Sequence, residues 1–102
     1  MIGKEVGKYL NKGGLLSDGI EEFEHRPQQI AMAEAVGRAF DNGHHLIVEA
    51  GTGTGKSLAY LIPAVLWAVK YNKKVVVSTY TKTLQGQLLH HDIPLLREKL
   101  KI

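Results

Sequence analysis

Apolar residues change their spacing several times along this chain, and each change marks an element. From Pro27 they recur at Ile30, Ala33, Val36 and Phe40, one face of a helix with a 3.6-residue period. Pro27 suits the first helical position, where its missing N–H would have no partner in any case. Asn42-Gly43 closes the stretch, with Gly43 suited to a left-handed cap. Leu46-Ile47-Val48 is continuous rather than alternating, as in a strand covered on both faces of a parallel sheet. A second helix is expected from about Gly55 to about Tyr71, with Pro63 inside it to kink it or leave one carbonyl unpaired. Lys74–Thr79, containing Val75-Val76-Val77, predicts another buried strand. Thr83–His91 predicts a third helix, with Thr83 as a plain N-cap, and Pro94–Lys101 a further short one. Helix, strand, helix, strand, helix is an α/β order: a short parallel sheet flanked by helices and joined by right-handed crossovers.

Before Pro27 the pattern is weaker. Residues 1–25 read as a lead-in broken by Gly13-Gly14 and Gly19, with one or two helical turns over Lys4–Leu10. The expected division is a lead-in or linker at 1–22 and one domain fragment at 23–102.

Composition changes this picture little. The 102 residues are 44% hydrophobic and 23% charged with a net charge of +3, which is ordinary for one small globular domain. The absence of cysteine excludes disulfides, thiolate nucleophiles and cysteine-bound metals within these residues. The longest apolar run, Leu58–Val69, is too short to span a bilayer and contains Pro63. The start has no apolar signal core, so no membrane and a cytoplasmic location are expected. His44-His45 and His90-His91 are adjacent pairs, and neighbours in a helix or strand do not face one metal together. Trp67, with Ala64, Ala68 and Tyr71, reads as a core stripe, and Lys73-Lys74 as solvated.

The chemistry concentrates in Ala50-Gly51-Thr52-Gly53-Thr54-Gly55-Lys56-Ser57, between the first expected strand and the second long helix. A phosphate loop needs backbone N–H groups converging on one anion. Gly51, Gly53 and Gly55 permit the required backbone angles and put no Cβ in the way. The helix that follows adds its partial positive N-terminus. Lys56 is then the residue to reach the β- and γ-phosphates of ATP, and the Ser57 hydroxyl the ligand for Mg²⁺. Ala50 replaces the glycine that usually opens the pattern, a mild change because that place only begins the turn. A relaxed match in a chain this long arises by chance about once in a hundred, and the flanking strand, helix and extra glycines make it rarer.

The loop and the segment after it, Leu58-Ala59-Tyr60-Leu61-Ile62-Pro63-Ala64, resemble motif I of superfamily 2 helicases in the DinG/XPD branch, closer to its bacterial DinG members than to the eukaryotic ones. Two further stretches agree in order and spacing. Phe23-Glu24-His25-Arg26-Pro27-Gln28-Gln29 resembles the adenine-reading Q motif, and Val75 to Gln85 resembles motif Ia, which contacts single-stranded DNA. The likeness runs from about Gly13 to about Leu100, and proline at 63 fits the same pattern. It implies a partial P-loop NTPase domain of the RecA-like kind.

On that resemblance Gln29 reads adenine, since a carboxamide both donates to N7 and accepts from N6, while Phe23 stacks on the base and Arg26 assists. Taken alone, Gln28 and Gln29 read equally as polar residues of a helix's first turn. Ser78, Thr79, Thr81, Lys82 and Gln85 are the implied DNA contacts, holding phosphate oxygens without reading sequence. The alternative there is a polar loop that caps a helix.

Hydrolysis needs a carboxylate pair on Mg²⁺ and arginines around the transferring phosphoryl group. No Asp-Glu pair appears anywhere, and Asp92 and Glu98 are isolated. The expectation is therefore the N-terminal part of a helicase motor, lacking the remainder of its first domain and its second, and hydrolytically incompetent alone. Whether the longer protein carries an iron–sulfur cluster is left open. The competing readings are a nucleotide-binding module of another P-loop class and an interaction fragment whose loop stays empty.

Overall fold

The computed structural model describes residues 1–10, 27–50 and 56–100, with backbone only for 99 and 100. Its helices are α1 (Ile2–Glu5), α2 (Gly7–Leu10), α3 (Pro27–Asn42), α4 (Lys56–Tyr71), α5 (Lys82–Gln87) and α6 (Ile93–Leu100). A π-helical turn, Leu88–Asp92, joins α5 to α6.

α3 and α4, of 16 residues each, make the centre of the fold. α3 buries Gln29, Ile30, Ala33 and Gly37, the face that the 3.6-residue period marks out. α4 opposes it with Ala59, Leu61, Ile62, Pro63 and Ala64. Val6 and Leu10 from the first two helices, Leu88 from the π-turn and Leu96 from α6 join the same core. Gly43 ends α3 at φ +67°, the left-handed cap its place in the sequence leads one to expect. Asn72, at φ 52°, does the same for α4, using a side chain that tolerates this region. Pro63 lies inside α4 and is fully buried, so its ring takes part in the core.

The helical turns expected at Lys4–Leu10 are present from Ile2 onward and are buried in the core. The C-terminal helices differ from expectation in two ways. The side chain that caps α5 belongs to Thr81, whose oxygen accepts from the N–H of Leu84 at 3.1 Å, and Thr83 lies inside the helix. The expected break before Pro94 is absent. The helix instead widens through the π-turn, where the N–H of Ile93 donates to Leu88, and continues into α6. Pro94 has no N–H for the preceding turn, and widening that turn lets the chain run on.

The expected parallel sheet is not formed among the described residues: 44–50 and 73–79 carry no regular secondary structure. Each segment leans on the helices by one side only. Leu46 and Val48 line a cleft of about 440 Å³ with Met32, Val36, Ala39 and Phe40. Val75, Val77 and Ser78 line another, about 350 Å³, with Val36, Phe40, Tyr60 and Ala64. The other sides are bare, with Ile47 98% and Val76 91% exposed. A strand exists only through hydrogen bonds to a neighbouring strand, and neither segment has one here.

Candidate nucleotide-binding site

α3 and α4 run side by side in the same direction, which decides where the candidate residues lie. Asp41, next to last in α3, accepts from the N–H groups of Ile2 and Gly3 at 3.0 Å each. Lys70, next to last in α4, lies 3.3 Å from Glu5 of the same short helix. Phe40 stacks on Trp67 close by, with ring centroids 5.0 Å apart, and Trp67 meets Tyr71 at 6.2 Å. Trp67 is thus a half-buried link between the helices rather than an open platform. The hydrogen bond to Glu5, and then its charge, raise the Lys70 pKa above its ordinary value.

Their N-terminal halves also belong to one core, Ile30 and Ala33 of α3 with Ala59 and Ile62 of α4, so the two helices share an N-terminal side. Gln29 occupies the first turn of α3 and Lys56 opens α4. Lys56 is exposed and Ser57 half-buried. The first N–H groups of α4 have no intrahelical partner, and no acidic side chain occupies its first turn. That end therefore favours an anion. Gln29 is 3% exposed while Gln28 is exposed, so one carboxamide is held by packing and the other faces water. Gly51, Thr52, Gly53, Thr54 and Gly55, together with Phe23 and Arg26, lie outside the described residues.

The segment from Lys73 to Thr79 returns along α4. Val75, Val77 and Ser78 line a cleft with Tyr60 and Ala64, both within the first nine residues of α4, so this part of the segment lies towards the end of α4 that holds Lys56. Ser78, Thr81, Lys82 and Gln85 are exposed and Thr79 is half-buried. The Thr79 hydroxyl donates to the carbonyl of Thr81 at 3.5 Å. The Thr81 oxygen is engaged as the helix cap, yet a hydroxyl that accepts still has its proton to donate. Lys82 and Gln85 stand three residues apart on the first turn of α5, one above the other.

Sequence reasoning passed over two acidic residues. Asp41 stands at the C-terminal end of α3, where the helix dipole disfavours a carboxylate. That misfit was a readable sign of a partner elsewhere. Asp92, read as isolated, is 5% exposed, with Oδ1 2.8 Å from Nδ1 of His91 and Oδ2 unpartnered among the described residues. No group of three His, Cys, Asp or Glu residues gathers among the described residues. Nor is any described helix long and apolar enough to cross a membrane.

Comparison with known proteins adds the family. The DEAD/DEAH box helicase description matches residues 25–99, well over half of the chain. The ATP-dependent DNA helicase YoaA of Haemophilus influenzae is 42% identical over 96 residues, 94% of this chain and 14% of that protein. The ATP-dependent helicase DinG of Mycobacterium tuberculosis is 55% identical over 75 residues, 74% of this chain and 11% of that protein. The 3'-5' exonuclease DinG of Bacillus subtilis is 42% identical over 83 residues, 81% of this chain and 9% of that protein. The chain thus spans about a seventh or less of these curated relatives. No solved structure matches it. The chain belongs to the DEAD/DEAH box helicase family, and through it to the P-loop NTPases.

Proposed function

We propose that this chain is the ATP-binding opening of a DinG-type, ATP-dependent DNA helicase acting in the cytoplasm, with residues 23–102 as the first part of its motor domain. One observation carries the reading: a 16-residue helix opens at Lys56-Ser57, immediately after the glycine-rich run in the sequence, and its first turn holds no acidic side chain. An acid-free helix start with Lys56 exposed and Ser57 half-buried suits a nucleoside triphosphate with Mg²⁺. Gly51–Gly55 would supply backbone N–H groups to the phosphates, Lys56 would reach the β- and γ-phosphates, and the Ser57 oxygen would hold the metal. The bound Mg²⁺ supplies charge neutralisation on the transferring phosphoryl group. Gln29 reads adenine, with Phe23 stacked on the base and Arg26 beside it. Ser78, Thr79, Thr81, Lys82 and Gln85 take single-stranded DNA by its phosphates.

The two bare apolar segments belong to this reading. Residues 44–50 and 73–79 become strands of a RecA-like sheet when further strands of a longer chain pair with them, as the small share of the relatives' length suggests. The carboxylate pair and arginines of hydrolysis belong to that remainder, so this chain alone binds nucleotide weakly and does not turn it over. An iron–sulfur cluster, where a longer protein has one, takes its thiolates from elsewhere, since these residues include no cysteine.

The test is a titration of a fluorescent ATP analogue with Mg²⁺ into wild type and Lys56→Ala, with ADP or GDP as competitor. Binding that is lost in the variant and displaced better by ADP is expected. Equal binding by the two proteins would mean that the loop does not hold phosphate.

A further inference from the structure

Residues 2–10 fill the seam between α3 and α4, and the way they are held points to a task. A helix of four residues, such as α1, does not persist by itself. Its two leading N–H groups are capped from 38 and 39 residues away, by the two oxygens of Asp41. Ile2, Val6 and Leu10, spaced four apart, are fully buried along one line, and Val6 and Leu10 share a core with Ile30, Ala33, Ala59 and Ile62. Gly37 allows the close approach: a Cβ there would stand 2.7 Å from Gly3 Cα and 2.8 Å from its nitrogen. Glycine is unfavourable in a helix interior, so its presence at 37 serves this contact. Glu5 then ties the same short helix to Lys70 of α4.

We propose that residues 2–10 are a wedge fixing the register of α3 against α4, and that Asp41 is the positioning residue through which the wedge keeps Gln29 aligned with Lys56. The inference rests on the nucleotide reading of those two residues. Asp41 stands twelve residues from Gln29, about 18 Å along a rigid helix. A tilt of about 3° at the Asp41 end therefore moves Gln29 by about 1 Å. A bidentate carboxamide contact tolerates about half that displacement, whereas a lysine ammonium follows a phosphate as a flexible point charge. Loosening the wedge removes base discrimination before it removes phosphate binding.

The experiment measures competition by ATP and by GTP against a fluorescent ATP analogue, with Mg²⁺, for the full chain as wild type, Asp41→Ala, Asp41→Asn, Lys70→Ala and Lys56→Ala. Wild type is expected to favour ATP by about tenfold, the scale of one carboxamide–adenine contact. Asp41→Ala loses most of that preference and keeps nucleotide binding, while Asp41→Asn, with one oxygen still accepting, falls between. An unchanged preference in Asp41→Ala overturns the proposal. So does an equal loss for both nucleotides that follows a lowered Tm, the mark of a merely structural role. If Asp41→Ala does not fold, Lys70→Ala decides, since it cuts only the exposed link to α4: a preference reduced by about twofold, the size of a weak surface pair, supports the wedge, and an unchanged one overturns it. Wild type that binds no nucleotide, or Lys56→Ala that binds as well as wild type, sinks the phosphate-loop reading and the wedge with it. An intact Lys56 effect with no Asp41 effect sinks the wedge alone.

Discussion

Two regions of this chain carry large apolar side chains and meet opposite fates. Ile30, Ala33, Ala59 and Ile62 on α3 and α4 are buried, while Ile47 and Val76, at the centres of the two valine- and isoleucine-rich segments, are almost wholly exposed. Hydrophobicity does not separate them; hydrogen bonding does. A helix satisfies its backbone within itself and needs a neighbour only for its side chains. A strand must borrow donors and acceptors from another strand, and residues 44–50 and 73–79 have none beside them among the described residues. Apolar sequence states what a segment is built to bury; burial follows only when the covering strand is present.

The sharpest way to break that comparison is to truncate one residue in each region. Ile62→Ala, in the buried seam, should lower unfolding free energy by about 2–5 kcal/mol in urea titrations. Ile47→Ala, with nothing packed on it, should change it by less than about 0.5 kcal/mol. Comparable losses at both positions would mean that the exposed segment is covered in solution. A middle-sized effect is expected at Thr81, whose oxygen caps α5. Thr81→Ala should cost about 1 kcal/mol locally, seen as faster amide exchange at Leu84 with little change in α3 or α4. Exchange that accelerates throughout would instead make α5 part of the same cooperative unit.

The smallest effect concerns the link between Lys70 and Glu5. Glu5 raises the pKa of Lys70 in the folded chain, so the pair's contribution is complete below the ordinary value of 10.5 and fades as pH rises through the higher folded value. Wild type should therefore exceed Lys70→Met slightly in Tm at neutral pH and low salt, and the gap should close above pH 10.5 or with added salt. A gap that persists at high pH would locate the loss in the lysine's packing rather than its charge.

The parts legible from sequence are those ruled by local physics. The period of three to four residues from Ile30 to Phe40 located α3, and the glycine at 43 marked its end at the correct place. α4 begins at Lys56, the residue that follows the glycine-rich run in the sequence. Long-range partners were hidden. Nothing near Asp41 in sequence names Ile2 and Gly3 as its donors, although a carboxylate at the wrong end of a helix was a hint. Pro94 reads locally as a helix break, and only the widened turn before it explains why the helix continues. Of the candidate site, the sequence names the residues, and the structure adds that Gln29 and Lys56 each stand in the first turn of a long helix.

The central claim is that the start of α4 receives a nucleotide's phosphates. Amide hydrogen exchange of residues 50–58, followed by NMR with and without Mg²⁺ and ATP, tests it most directly. Slower exchange at the amides of 51–57 with ATP, absent in Lys56→Ala, is the expected result. Unchanged exchange there at nucleotide concentrations that protect another part of the chain would contradict it.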